Sequence, residues 1–166
     1  MLQRGDQLLL RRPFVSAQNE YSLYNRAAEE ELIPALEHVG LSLIAYFPLA
    51  YGLLTGKYRR GEQAPQGSRL EAESQAHRLA NADWDRIEAL QAFADERGIG
   101  LLDVALGGLA AMPAVGSVIA GATRPEQVAS NVRAGLWQPT DEDLEALAGV
   151  NLHRGAGMTH ASFTRR

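Results

Sequence analysis

Hydrophobic residues recur along this chain with two different spacings, which predict alternating strands and helices. Short apolar runs without helical spacing predict three β-strands, at residues 13–18, 41–47 and 115–120. Stretches with apolar residues on one helical face predict helices at residues 27–39, 82–97, 101–112, 123–134 and 141–148. The alternation predicts an α/β fold with a parallel sheet. Three strands are too few for a complete (β/α)8 barrel, so the chain is either a small open α/β domain or part of such a barrel.

Local signals predict where several helices begin. Pro34 lies inside the first helix and predicts either a kink or a separate first turn. Asn81 is a suitable N-cap for the helix at residues 82–97. Thr123 and Thr140 are each followed three residues later by an acidic residue, which is the spacing of a capping box, so helices are expected to begin there.

The second predicted strand, residues 41–47, is apolar almost throughout, as is typical of a parallel strand buried on both faces. Pro48 ends it, and a long loop to about residue 80 follows. Gly52 and Gly56 let the backbone approach a ligand, and Lys57 supplies a positive charge. The stretch 46–58 therefore predicts either a site for a flat ring beside an anionic group or an ordinary strand-to-loop corner.

Two further places have the composition of a binding site. Gly121 follows the third strand, and a helix begins directly after it, where free N–H groups favour an anion and Arg124 adds positive charge. The alternative is a well-capped helix with a solvated Arg124. Gln18 and Asn19 end the first strand, where an amide either hydrogen-bonds another amide or satisfies the backbone of the loop.

Composition and charge narrow the class of protein. The chain has 166 residues, a net charge of −4 and no cysteine, which argues against general nucleic-acid binding and excludes thiolate chemistry. It contains no apolar run long enough to span a bilayer and no signal-peptide core, so we expect a cytoplasmic protein without a membrane partner.

The four histidines lack metal-ligand spacing, and we find no acid–base constellation, so we predict neither a metal site nor catalytic residues. Residues 1–150 are expected to form one domain, with residues 151–166 as a flexible tail.

Three motifs carry a resemblance to a known family. Residues 15–22, 46–58 and 119–131 resemble the aldo-keto reductase superfamily, in its bacterial and potassium-channel-β-like branch. They occur in the family's order across residues 13–150 and are similar to the sixth, seventh and eighth strands of its barrel and the loops after them. The resemblance implies a partial (β/α)8 TIM barrel with about three parallel strands and flanking helices.

The resemblance also implies the cofactor NADP(H), bound in an extended pose. By this resemblance Gln18 contacts the nicotinamide carboxamide, Tyr46 stacks on the nicotinamide ring and Arg69 is a candidate for the 2′-phosphate. The full set of residues implied to bind the cofactor is Gln18, Tyr46, Phe47, Pro48, Leu49, Ala50, Gly52, Lys57, Ser68, Arg69, Gly121, Thr123, Arg124, Gln127 and Asn131.

The chain departs from the family pattern in three respects. Phe47 stands where many members have serine, and Ser130 stands where many have glutamate. The catalytic aspartate, tyrosine, lysine and histidine of the family lie on its first four strands, and nothing in this chain matches them. Three strands cannot close a barrel, and they leave edges and apolar faces uncovered.

Two hypotheses follow. The first is the cofactor-binding, C-terminal portion of an NADP(H)-dependent oxidoreductase, truncated and inactive alone, whose partner is a missing N-terminal half or a second copy of the chain. It would act on a small carbonyl substrate only when complemented. The second is a non-catalytic α/β module, an oligomerising barrel remnant that binds a nucleotide or a protein.

Overall fold

Three parallel strands form the centre of the structure, a computed structural model that describes residues 14–150. They are β1 (Ser16–Glu20), β2 (Ser42–Tyr46) and β3 (Val115–Ile119), hydrogen-bonded in the order β1-β2-β3. Both pairs are parallel. The predicted parallel sheet of an α/β fold is therefore confirmed, and each strand begins and ends within three residues of its expected bounds.

Helices connect and flank the strands. The α-helices are α1 (Leu32–Val39), α2 (Glu73–Ala80), α3 (Trp84–Glu96), α4 (Leu101–Asp103, continued by a π-helical segment, Val104–Gly108), α5 (Pro125–Ala134) and α6 (Asp141–Gly149). Short 3₁₀ turns lie at Ala27–Glu29, Ala50–Thr55 and Arg69–Glu71. The five predicted helices are present, and α2 is an addition, because residues 73–80 were expected to belong to a long loop.

Two predicted helix starts are wrong. Helix α3 begins after Asp83, whose side chain accepts a hydrogen bond from Arg86 N, whereas Asn81 ends α2. Helix α5 begins at Pro125 rather than at Thr123. The residue before a proline is driven out of the helical region, and Arg124 is accordingly extended (φ −142°, ψ 147°).

Two other expectations about helix starts hold. Pro34 predicted either a kink in the first helix or a separate first turn. The structure has the separate turn, Ala27–Glu29, before α1. At α6 the capping box forms as predicted, with Thr140 and Asp143 bonded reciprocally.

The sheet is covered on one face only. Leu43 and Ala45 are fully buried, whereas Ser42 is exposed and Ile44 and Tyr46 are half-buried. The prediction that this strand is buried on both faces is therefore wrong within the described residues. Side chains alternate along a strand, so one face of β2 packs in the core and the other, with Ser42, Ile44 and Tyr46, is open.

The core joins the covered face of the sheet to the helices. Large buried side chains include Leu43 of β2, Leu90 of α3, Leu109 at the end of α4 and Leu147 of α6. Arg26, in the loop after β1, donates from Nη1 to the carbonyl oxygen of Leu147 at 2.8 Å, which fastens α6 to that loop.

One expectation, the flexible tail at residues 151–166, lies outside the described residues. Within residues 14–150, no helix is both long enough and apolar enough to cross a bilayer.

Candidate functional site

A groove of about 950 Å³ lies at the carboxyl ends of β2 and β3 and the amino end of α5. In parallel α/β folds this edge of the sheet is where ligands bind. Twelve of the fifteen predicted binding residues line it: Tyr46, Phe47, Pro48, Leu49, Gly52, Lys57, Arg69, Gly121, Thr123, Arg124, Gln127 and Asn131. The structure thus joins the two candidate sites of the sequence in one groove, although Lys57 and Gly121 are 64 residues apart along the chain.

The loop that follows β2 carries strained backbone at the wall of this groove. Phe47, Ala50 and Tyr51 have φ values of 54°, 45° and 61°, in the left-handed region that side chains disfavour. Gly52 follows at φ 102°, which only glycine tolerates readily. Such strain concentrates at ligand sites, where surrounding contacts hold it in place.

Aromatic rings and guanidinium groups share this wall. The rings of Phe47 and Tyr51 have centroids 4.7 Å apart, and those of Tyr46 and Phe47 are 5.2 Å apart in an edge-on arrangement. The Arg69 Cζ lies 5.3 Å from the Tyr51 ring centroid and 6.0 Å from that of Phe47. The wall therefore offers flat apolar surface with positive charge beside it.

The Lys57 ammonium lies over the backbone of Gly52. A Cβ built on Gly52 would be 3.7 Å from Lys57 Nζ, so the absence of a side chain leaves this cation close to the loop. Thr55 fixes the same turn, because its hydroxyl donates to the Gly52 carbonyl oxygen at 2.7 Å. The loop is therefore braced with its cation facing the groove.

The opposite wall is the start of α5. The Gln127 side-chain oxygen accepts hydrogen bonds from Thr123 N at 2.7 Å and Thr123 Oγ1 at 3.1 Å, which replaces the predicted capping box. Asn131 Nδ2 donates to the Gly121 carbonyl oxygen at 3.4 Å. These amides brace the loop from the helix side, and Arg124 and Glu126 face the groove with opposite charges.

Three predicted residues do not line the groove. Gln18 is exposed on β1, two residues before the end of the strand, and Ala50 is buried beneath the loop. Ser68 lies between the lining residues Gly67 and Arg69, and its hydroxyl oxygen is buried without a hydrogen-bond partner among residues 14–150. A buried hydroxyl without a partner beside a charged groove is consistent with a polar ligand group that completes it.

Sequence reasoning missed several lining residues, chiefly Tyr51, Thr55 and Glu126. A signal for Tyr51 was present, since this aromatic residue directly precedes Gly52 in the loop that was singled out. Thr55 belongs to the same stretch. Glu126 was read as part of a capping box, and its position on the groove depends on the helix starting at Pro125.

The residues present fit an elongated anionic ligand that carries aromatic rings. Lys57, Arg69 and Arg124 supply three positive charges along the groove, and Tyr46, Phe47 and Tyr51 supply ring surface. Burial raises the pKa of Tyr21, and the hydrogen bond from Arg97 lowers the pKa of Asp143, but neither residue lines the groove. The arrangement of charges and rings is therefore suited to binding such a ligand.

Comparison with known proteins agrees with this fold. The model of the Aldo/keto reductase family matches residues 8–152. A probable voltage-gated potassium channel subunit beta of Arabidopsis thaliana is 38% identical over 136 residues, which are 78% of this chain and 40% of that protein. L-glyceraldehyde 3-phosphate reductase of Escherichia coli (strain K12) is 37% identical over 129 residues, which are 74% of this chain and 37% of that protein.

A solved structure supports the fold. The glycerol dehydrogenase AKR11B4 of Gluconobacter oxydans matches 99% of this chain and 51% of its own length, with a TM-score of 0.69 and 21% identity. The fold is thus part of a (β/α)8 barrel, as the motifs predicted. The chain belongs to the aldo/keto reductase family, and it spans 40% and 37% of the length of the two curated relatives named above.

Proposed function

We propose that this chain is the cofactor-binding, C-terminal portion of an NADP(H)-dependent aldo-keto reductase. The observation that supports this most strongly is the single groove formed by residues from two separate motifs, with three cations and three aromatic rings along it. NADP(H) is an elongated polyanion with two flat rings, so its chemistry matches both features. When bound, the cofactor supplies or accepts a hydride in the interconversion of a carbonyl and an alcohol.

Each part of the cofactor has residues suited to hold it. Tyr46, at the end of β2, supplies ring surface for the nicotinamide. Lys57 and Arg124, from the two walls, are suited to the bridging phosphates, where charge-assisted hydrogen bonds are strongest. Arg69 is suited to the 2′-phosphate, and the buried Ser68 hydroxyl beside it is available to a neighbouring polar group. The backbone near Gly52 and Gly121 allows close approach.

We further propose that the chain alone does not reduce carbonyls. Hydride transfer to a carbonyl requires an acid at the oxygen, and the sequence contains no match to the family's catalytic tetrad. Activity on a small carbonyl substrate would then require a complement, either an N-terminal half or a second copy of the chain. The cytoplasmic location expected from the sequence is likewise part of this proposal.

A second candidate is a non-catalytic module that binds a nucleotide or a protein. The open edges of the sheet favour it, because β1 and β3 each pair on one side only within residues 14–150. Phe14 and Val15, just before β1, are 68% and 79% exposed. Uncovered edges and apolar side chains favour association with another chain.

Titration of NADPH into the chain, followed by its fluorescence, tests the proposed function. We expect saturable binding that weakens as salt is added, because the phosphates are held by cations. Arg124→Gln should weaken binding about tenfold, the loss expected for one charged hydrogen bond. Arg133→Gln, at an exposed position of α5, the helix that follows Arg124, is the matched control and should bind like the wild type.

Two further measurements separate the candidates. NADPH consumption with a panel of aldehydes should show no turnover for the chain alone, and turnover without a partner would overturn the proposed inactivity. The size in solution distinguishes a monomer that binds hydrophobic dyes from a stable dimer with a covered interface. Absence of NADPH binding at high concentration, with dimerisation intact, would favour the non-catalytic module.

A further inference from the structure

Arg78, which lies outside the groove, contacts the ring of Tyr51. The Arg78 Cζ lies 3.6 Å from the Tyr51 ring centroid, which places the guanidinium directly against the face of the ring. Tyr51 lines the groove, whereas Arg78 belongs to α2 and does not. No sequence motif singled out Arg78, and the proposed function assigns it no role.

The contact between Arg78 and Tyr51 helps to hold α2 against the groove wall. None of the eight residues of this helix is fully buried, so few packing contacts hold it. Arg78 is itself oriented, because its Nε donates to the Gln75 side-chain oxygen at 2.9 Å one turn earlier. A guanidinium held in one plane loses little freedom when it stacks on a ring.

Tyr51 connects this contact to the residues of the groove. Its ring centroid lies 5.3 Å from Arg69 Cζ and 4.7 Å from the Phe47 ring centroid. Arg69 begins the 3₁₀ turn just before α2, and the next residue, Leu70, is anchored by burial and by a hydrogen bond from its N–H to the Tyr58 hydroxyl. Arg69 and Arg78 therefore flank one aromatic ring from two successive elements of the chain.

We propose that Arg78 is a positioning residue that sets the preference of the groove for a nucleotide carrying a 2′-phosphate. This inference rests on the proposed function, which gives Arg69 the 2′-phosphate. Arg78 fixes the position of the Tyr51 ring by stacking on it, and the ring in turn holds the Arg69 guanidinium at the groove wall. Because bidentate recognition of a phosphate depends on geometry, a displaced Arg69 loses more affinity for NADPH than for NADH.

The test compares dissociation constants for NADPH and NADH, so the ratio of the two is the readout. We expect Arg78→Met to reduce the preference for NADPH about fivefold, from the usual strength of one cation–π contact. Arg78→Lys keeps the charge without the planar stack and should give an intermediate ratio. Arg133→Met is the matched control on α5 and should leave the ratio unchanged.

A double variant tests whether Arg78 acts through Tyr51. Tyr51→Leu should weaken the preference for NADPH over NADH, and Tyr51→Leu combined with Arg78→Met should weaken it no further, because both changes remove the same contact. Additive losses would instead mean that Arg78 acts by its own charge, which would overturn a positioning role. Should Arg78→Met fail to fold, the comparison of Arg78→Lys with the wild type carries the test.

A measurement without nucleotide examines the positioning step itself. The ¹⁵Nε–¹Hε NMR signal of Arg69 should shift in Arg78→Met and stay in place in Arg133→Met, since only the first change frees the Tyr51 ring. An unmoved Arg69 signal would overturn the inference.

The outcomes distinguish this inference from the proposed function. If the wild type binds neither nucleotide, the proposed function is wrong and the inference falls with it. If the wild type prefers NADPH and Arg78→Met weakens both nucleotides equally, only the inference on Arg78 is overturned.

Discussion

The backbone of Trp137 lies against Gly107 so closely that no side chain fits between them. A Cβ built on Gly107 would be 2.5 Å from the Trp137 carbonyl oxygen and 2.8 Å from that of Ala134. Gly107 belongs to the π-helical segment Val104–Gly108, and Ala134 ends α5. This contact seats α5, whose other end forms a wall of the groove.

We therefore expect Gly107→Ala to destabilise the chain by about 1–3 kcal/mol, since backbone carbonyls cannot move aside as a flexible side chain can. Urea unfolding followed by circular dichroism measures the change. Gly149→Ala, at the end of α6 where a Cβ would meet nothing within 4 Å, is the control. Equal stability of Gly107→Ala and the wild type would contradict the packing of α4 against α5.

Gly116 and Ser42 form a second close contact, at the irregularity between β2 and β3. Leu43 pairs with Val115 and Ile44 with Ser117, so Gly116 is passed over in the register. A Cβ on Gly116 would be 2.7 Å from the Ser42 Cβ. Gly116→Ala should cost about 1–3 kcal/mol of stability.

The same contact offers a rescue, because the clash is with a side chain. In a Ser42→Gly background the Cβ of Ser42 is gone, and Gly116→Ala should then cost much less than in the wild type. A double-mutant cycle by urea unfolding measures this coupling. Additive effects of the two changes would show that the strands are not registered as described.

Asp143 should make the stability of the folded chain decrease at low pH. The hydrogen bond from Arg97 and the capping bond at Thr140 lower the pKa of Asp143 below its ordinary value. A carboxyl whose pKa is lowered on folding stabilises the folded state above its unfolded pKa of about 3.9, and this contribution is lost as the pH falls below that value. Asp143→Asn should therefore destabilise the chain at pH 7, with a smaller difference at pH 3.

Unfolding in urea at both pH values measures the effect. Asp141→Asn, at the first residue of the same helix, is the control, because Asp141 is exposed and lies outside the capping box. A difference between Asp143→Asn and the wild type that stays constant with pH would contradict the assignment.

Tyr21 should make the chain sensitive to alkali. Burial, followed by the hydrogen bond that its hydroxyl donates to Glu29, raises the pKa of Tyr21. A group whose pKa is raised on folding stabilises the folded state below its unfolded pKa of about 10, and this contribution is lost as the pH rises further. Tyr21→Phe should lower the free energy of unfolding by about 1 kcal/mol at pH 7. The variant should also lose less stability than the wild type between pH 9 and 11. Thermal unfolding across that pH range is the measurement. If stability falls with pH equally in Tyr21→Phe and the wild type, the role given to Tyr21 is wrong.

Much of the fold and the site could be predicted because their signals are local. The end of β2 before Pro48 and the capping box at Thr140 each depend on a few neighbouring residues, and both appear in the structure. The motif at residues 46–58 and that at residues 119–131 supplied most of the lining of the groove. Local chemistry also allowed wrong helix starts, because Asn81 and Thr123 are good caps that lost to Asp83 and to the proline at 125.

What the sequence by itself determined was the order of most strands and helices, the family and most of the residues that line the groove. The tertiary structure decided which of those residues meet. It joined Lys57 and Arg124 in one groove, left Gln18 on an open sheet face and brought Arg78 onto the ring of Tyr51. It also decided that β2 is buried on one face only. The reason is physical: spacing along the chain reports local conformation, whereas contact across the fold depends on how strands register and on what covers them.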